Sequence, residues 1–288
     1  MQNTYSLKLR NLILLLVGGL VFISCARKDL IKPGDPLDVA YEKAMNFYQN
    51  EDYGSAADAF ETVIRVGRGT EYGRNAQFYL AESYFNNERY LLAASEYERY
   101  RSLYPRSERR ELVDFREAYC YYKLSPRYRL SQKYTRTAIE KFRLFNSRYP
   151  DSERVQDASQ YITDLRSKLA HKLYGAADLY MRVDQYEAAI IYYDLTIDRY
   201  PETDWAELAL VNQINAYVVY AGRSIRTKQE ERYQSAIEAY EKYLQLFPDG
   251  KYRSRAERYV DEARVGLANI EDAPAATSPN ISRTDQQQ

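Results

Sequence analysis

The chain has 288 residues, with 41 Lys and Arg balanced by 41 Asp and Glu, so its formal net charge is zero. A nucleic-acid-binding protein carries a basic surplus, and this composition has none. A single histidine, two cysteines, and the lack of any HExxH, GxSxG or glycine-rich phosphate loop argue against an enzyme, a metal site or a cofactor.

Residues 1–24 read as a lipoprotein signal peptide. Lys8 and Arg10 precede an apolar run from Leu12 to Ile23, which is short for a membrane span. The run ends in Phe22-Ile23-Ser24-Cys25, and a small residue before cysteine resembles the bacterial lipobox. That resemblance implies that Cys25 carries covalent lipid and becomes the mature N-terminus. An ordinary secretory signal with an incidental cysteine is the competing reading. The next residues, Ala26-Arg27-Lys28-Asp29, lack both an aspartate right after the cysteine and an acidic run. This points to the outer membrane, lipid-anchored and facing the periplasm. Residues 25–37, with Pro33, Gly34 and Pro36, read as the lipidated cysteine and its tether. Only Cys120 is then left, so no intramolecular disulfide can form.

From residue 38 the chain is punctuated by a recurring tetrapeptide: Tyr104-Pro105-Arg106-Ser107, Tyr149-Pro150-Asp151-Ser152, Tyr200-Pro201-Glu202-Thr203 and a worn copy, Phe247-Pro248-Asp249-Gly250. Proline cannot continue a helix, and the Ser or Thr two residues on can cap the next one. Small and large residues recur at fixed distances before each stop. They are Ala44, Phe47, Ala56 and Phe60; Ala81, Tyr84, Ala93 and Tyr97; Ala118, Tyr121, Ala138 and Phe142; Ala177, Tyr180, Ala189 and Tyr193; and Ala216, Val219, Ala236 and Tyr240. The first copy has Arg68 where proline stands elsewhere, yet keeps the restart signal Thr70-Glu71. The third and fifth carry insertions at Leu124–Gln132 and Gly222–Glu231.

Alanine lets antiparallel helices approach closely, and the aromatics fill the space between hairpins, which must stack to bury their apolar faces. The pattern resembles the tetratricopeptide repeat, whose standard period is about 34 residues. It predicts an all-α superhelical solenoid of five helix hairpins and a C-terminal capping helix, against the alternative of an irregular bundle. Repeats 1–3 occupy 38–151. Apolar residues at helical spacing from Val155 to Tyr180 predict one long bridging helix over 152–183, dividing the solenoid. Repeats 4–5 and the cap occupy 184–269, and 270–288 reads as a disordered tail.

There are 31 tyrosines against nine phenylalanines and one tryptophan. In tetratricopeptide units the first helix of each pair lines the concave face. The matching positions here are Tyr41, Met45 and Tyr48; Phe78, Glu82 and Phe85; and Phe115, Tyr119 and Tyr122. Their aromatics and the methionine are candidates for a groove that takes an extended peptide with aromatic side chains. Packing against the next repeat is the competing role. The lone His171, in the middle of the long helix, has no ligand or catalytic partner nearby in sequence.

A lipobox, a short Pro-containing tether, five such repeats and a long bridging helix together resemble the BamD family, lipoproteins of the outer-membrane β-barrel assembly machinery. The closest stretches are Glu71–Phe85 and Tyr174–Thr203, with the Pro126-Arg127 insertion. The resemblance implies a non-enzymatic role with three kinds of partner: unfolded outer-membrane protein segments, a BamA-like barrel protein, and other lipoproteins of the complex. It implies membrane contact through the lipid alone and no nucleic acid. Tyr192 stands where the family uses an arginine against the barrel subunit, so that salt bridge does not carry over. The alternative is a periplasmic tetratricopeptide scaffold for cell-wall or division machinery, a type that commonly has a coiled coil before the repeats and no lipid anchor.

Overall fold

The computed structural model describes residues 31–32 and 34–271, and the described residues are helical apart from turns and short connections. The helices are α1 (Leu37–Gln49), α2 (Tyr53–Val66), α3 (Glu71–Asn86), α4 (Tyr90–Leu103), α5 (Arg110–Leu124), α6 (Lys133–Arg148), α7 (Val155–Arg182), α8 (Tyr186–Arg199), α9 (Asp204–Gly222), α10 (Arg226–Leu246) and α11 (Arg253–Glu271). The fold is all-α, and its helices pair as tetratricopeptide-type hairpins. Cys25 and most of the tether lie outside the described residues. So does the segment read as a tail, except Ile270 and Glu271, which still belong to α11.

All ten alanines that define the repeat are fully buried. Without a side chain beyond Cβ they set the helices close together, and larger residues fill the space to either side. The second-helix aromatics Phe60, Tyr97, Phe142, Tyr193 and Tyr240 are buried in that space. The first-helix residues Phe47, Tyr84, Tyr121, Tyr180 and Val219 stay partly exposed.

Each Tyr-Pro or Phe-Pro stop has the same backbone shape. Tyr104, Tyr149, Tyr200 and Phe247 end their helices with φ between −126° and −138° and ψ between 50° and 65°. The following proline forbids its neighbour the helical region, which explains the uniformity. In three of the four the ring packs on an aromatic one turn earlier: Tyr100–Tyr104 at 5.1 Å, Phe145–Tyr149 at 5.3 Å and Tyr243–Phe247 at 5.9 Å. Tyr200 follows Thr196 instead and takes the Arg166 guanidinium over its ring at 5.1 Å. Ser107 and Ser152 accept from the N–H two residues on, each at 3.2 Å. Thr203 does not cap α9; its hydroxyl donates to the Tyr200 carbonyl at 2.9 Å.

The first repeat turns by other means. Thr70 accepts from the Gly73 N–H at 3.2 Å and donates to the Gly67 carbonyl at 2.6 Å. Gly69 takes φ +83°, which glycine adopts without penalty. The backbone crosses itself closely here, because a Cβ built on Gly73 would lie 2.2 Å from the Gly67 carbonyl oxygen.

Inside the hairpins of repeats 1, 2 and 4 the turn rests on one left-handed residue: Glu51 (φ 59°), Glu88 (φ 56°) or Asp184 (φ 60°). Repeats 3 and 5 carry their insertions at this place. The first insertion is a loop, residues 125–132. The second is mostly absorbed into helix, since α9 runs to Gly222 and α10 restarts at Arg226.

The chain forms two compact units, divided within α5 between Cys120 and Tyr121. In the first, α1 packs on α2 and α3, and α3 on α2 and α4. In the second, successive helices from α6 to α11 pack on one another, with further contacts α7–α9 and α9–α11. The 28-residue α7, read from the sequence as a divider, lies inside the second unit, where α6 and α8 both pack along it.

The close crossing at Gly73 makes a paired prediction. Gly73→Ala drives a methyl into backbone and should lower unfolding free energy by about 2–4 kcal/mol. Gly54→Ala has open space around its Cβ and should be neutral or stabilising by up to about 1 kcal/mol. Urea unfolding of both variants checks this.

Candidate functional site

The first unit holds most of the groove candidates, and they separate into two groups. Tyr41, Met45 and Tyr48 pack against the core of α1–α3 while remaining partly exposed. Tyr41 meets Phe60 at 6.2 Å and Tyr72 at 5.4 Å, and Tyr48 meets Tyr79 edge-on at 5.2 Å. Tyr48 also accepts from the Asn86 amide at 3.0 Å, and burial pushes its phenol up to about 12. Phe78 is a correction: it is 6% exposed and belongs to the core. Tyr79 and Tyr100 pack edge-on against it at 5.4 and 5.9 Å, and Arg109 covers its face at 4.7 Å. It sits in the first half of α3, where the end of α4 and the residue preceding α5 both close over it.

Phe85, Phe115 and Tyr119 are half-buried and form one continuous run. Phe85 meets Tyr119 at 6.0 Å, and Tyr119 stacks on Phe115 at 6.3 Å with rings 6° apart. Arg116 lies over the Phe85 ring at 4.4 Å. In the second unit, Tyr122 packs on Tyr161 at 4.5 Å.

Buried charges support this run. Glu82, one turn before Phe85, is 7% exposed. It accepts from the Tyr97 hydroxyl at 2.5 Å and pairs with Arg116 at 3.5 Å. Burial, and then the Glu82 carboxylate, hold the Tyr97 phenol well above its usual range. Arg101 reaches the buried Glu117 at 3.4 Å, and Arg110 reaches the buried Asp114 at 3.4 Å. Such pairs fix orientation more than they add stability. Of these pairs, the one with Glu82 holds Arg116 against the aromatic run.

The second unit has a cleft of about 590 Å³, lined in part by Tyr128, His171, Tyr174, Leu179, Arg182 and Tyr192. His171 is sandwiched between Tyr128 at 3.7 Å and Trp205 at 3.9 Å, with rings 20° and 10° from parallel. The 125–132 loop that carries Tyr128 is pinned to α7. Lys168 donates to the Ser125 hydroxyl at 2.7 Å, and Lys172 to the carbonyls of Arg129 and Leu130 at 3.1 and 3.0 Å. Buried Gln132 donates to the Arg127 and Leu130 carbonyls at 2.9 and 3.0 Å. Desolvation, and then Arg129, hold the His171 imidazole below its ordinary value of 6.5. Cys120 is buried, and burial pushes its thiol up, away from reactivity.

The model of a protein family, the outer membrane lipoprotein YfiO, matches residues 34–230. The chain belongs to this family. The match runs through α1–α9 into the start of α10. Two relatives bear the name outer membrane protein assembly factor BamD. The Caulobacter vibrioides protein is 24% identical over 230 residues, covering 80% of this chain and 70% of that one. The Vibrio cholerae protein is 24% identical over 247 residues, covering 81% and 98%. Among solved structures, the TPR2AB-domain:pHSP90-complex of yeast Sti1 is similar with a TM-score of 0.37 and 14% identity, covering 79% of this chain and 98% of that one. Among the described residues, no helix is long and apolar enough to cross a membrane.

Two predictions follow from the polar contacts. Arg116→Ala leaves Glu82 buried with only Tyr97 as a partner and should cost about 2–4 kcal/mol in urea unfolding. Adding Glu82→Gln should recover much of that loss. His171, as the sole histidine, gives one resolvable imidazole set, which should titrate below 6.5 by NMR. Because its folded value is depressed, the unfolded chain binds the extra proton, and stability falls as pH drops through the unfolded value. Trp205→Ala should move the titration upward by admitting water.

Proposed function

We propose that the chain is a non-enzymatic component of the outer-membrane β-barrel assembly complex. It is held at the periplasmic face of the outer membrane by lipid on Cys25 and needs no cofactor beyond that lipid. The first unit receives segments of unfolded barrel precursors, and the second docks on a BamA-like barrel protein in company with the complex's other lipoproteins. The observation that carries this reading is family membership over residues 34–230, among relatives named as outer membrane protein assembly factors.

The geometry of the first unit supports the precursor role. Phe85, Tyr119 and Phe115 offer rings that another aromatic can pack on, at low side-chain entropy cost. Arg116, positioned by Glu82, sets a guanidinium beside them for an acidic or terminal carboxylate group. The cleft beside Tyr192 supports docking in the second unit through packing and hydrogen bonds, without the arginine the family uses.

Affinity purification from native membranes tests the assembly role. Recovery of a barrel protein with periplasmic repeat domains is the expected result, and recovery of cell-wall synthases overturns it. For the groove, Phe85→Ala with Tyr119→Ala should weaken binding of an aromatic-ended strand peptide roughly tenfold or more, with helicity unchanged. Phe78→Ala should instead cost about 3–5 kcal/mol of stability, because its ring is core. Fluorescence anisotropy and circular dichroism separate the two outcomes.

A further inference from the structure

The two edges of the first unit differ in charge. One edge gathers the start of α1 and the turns between repeats. Leu37 lies against the Gly67 turn, within 2.9 Å of the position a Cβ there would take. Arg109, beside the next such turn, donates to Asn75 of α3 at 2.8 Å. This edge exposes Arg65, Arg68, Arg74, Arg99 and Arg106 against the exposed acids Asp38, Glu71 and Glu108. Of these five arginines, Arg74 and Arg99 make ion pairs with acids of their own helix three residues away, at 3.4 and 3.9 Å. The opposite edge, at the turns inside the hairpins, carries Glu51, Asp52 and Glu88 against Arg89.

The cationic edge is also apolar. Val66 and Leu103, at equivalent repeat positions, are 69% and 54% exposed. Two clefts open on this edge. One, of about 420 Å³, is lined in part by Ile64, Arg68, Arg99, Leu103 and Tyr104. The other, of about 450 Å³, is lined in part by Arg74, Arg106 and Arg109, with Glu71 and Glu108 also on its wall. Arginines beside exposed aliphatic side chains and tyrosines match the chemistry of a headgroup layer, where anionic phosphate meets hydrocarbon.

We propose that this edge of the first unit seats on the anionic phospholipid surface of the leaflet that holds the anchor. The inference rests on the lipid reading of Cys25 for its orientation. Leu37 is twelve residues beyond Cys25. A fully extended chain of that length spans about 40 Å at most, and α1 begins on the cationic edge. Because the chain enters the fold on that edge, the cationic side lies nearer in sequence to the anchor than the acidic side does. The lipid then fixes the chain to the membrane while the arginines and Val66 and Leu103 fix which way the repeats face.

The test uses the full chain from residue 25 onward as Cys25→Ser, which removes acylation from the measurement. It should co-sediment with phosphatidylethanolamine vesicles containing a quarter phosphatidylglycerol, and not with phosphatidylcholine vesicles. About 0.5 M salt should release it. Arg65→Gln/Arg68→Gln/Arg106→Gln should weaken partitioning roughly ten- to a hundredfold at unchanged helicity. Val66→Ser/Leu103→Ser should weaken it less, and without changing its salt dependence. Arg127→Gln/Lys133→Gln, exposed cations of the second unit, should leave it unchanged. The proposal is overturned if the triple variant binds like the parent, if the second-unit variant is the one that loses binding, or if millimolar inorganic phosphate displaces the chain from vesicles. Palmitate labelling of the unaltered chain reports the Cys25 reading separately. Unlabelled protein that still binds vesicles removes the anchor and leaves the surface.

Discussion

The architecture depends on how close two helix backbones come when alanine stands between them. At ten positions the contact is alanine, and all ten are sealed from solvent. Close backbones leave a gap of fixed size to either side, which a ring from the second helix of each hairpin fills. Once that gap is set, the rest of the hairpin has little freedom. The stop must come where the second helix runs out, and the next helix must start within a few residues. The Tyr-Pro pair meets this demand by excluding the helical conformation, and in three copies the aromatic before the proline also packs on a ring a turn earlier.

The plan is departed from in the first three repeats. The first repeat replaces proline with a glycine turn so tight that two backbone segments touch, and the arginine in proline's place faces solvent. In the second and third repeats, buried carboxylates stand where a uniform stack needs only apolar packing. These carboxylates hold arginines, and one arginine lies over a half-buried ring. Positional control of this kind is what a binding surface needs, because a flexible guanidinium loses entropy on meeting a ligand and a held one has already lost it.

Much of the fold could be read from the sequence, because alanine, aromatic and proline spacing are one-dimensional signals. The ten small positions and five second-helix rings were readable for that reason. The proposed groove was readable only in part. Phe78 and Phe85 occupy the same kind of position by spacing alone, yet one is core and the other half-exposed. The difference lies in Arg109 and Tyr100, which reach Phe78 from another turn and another helix. The pairing of Glu82 with Arg116 spans 34 residues, and that of His171 with Trp205 also spans 34. No local pattern announces either pair. The sandwich of His171 further requires Tyr128 from a loop whose shape is set by two lysines of α7.

The left-handed residues at Glu51, Glu88 and Asp184 carry a last implication. A turn held by one backbone conformation needs no proline or ring to end the helix before it. It can be replaced by a loop or by extra helical turns without disturbing the stack, and in repeats 3 and 5 both substitutions are present. The Tyr-Pro and Phe-Pro turns have no such licence, since proline fixes where the helix stops and in three of the four a ring packs back on the helix it ends. New material therefore enters this architecture at the turns inside the hairpins. Contact surface can be added there while the turns between repeats keep their shape.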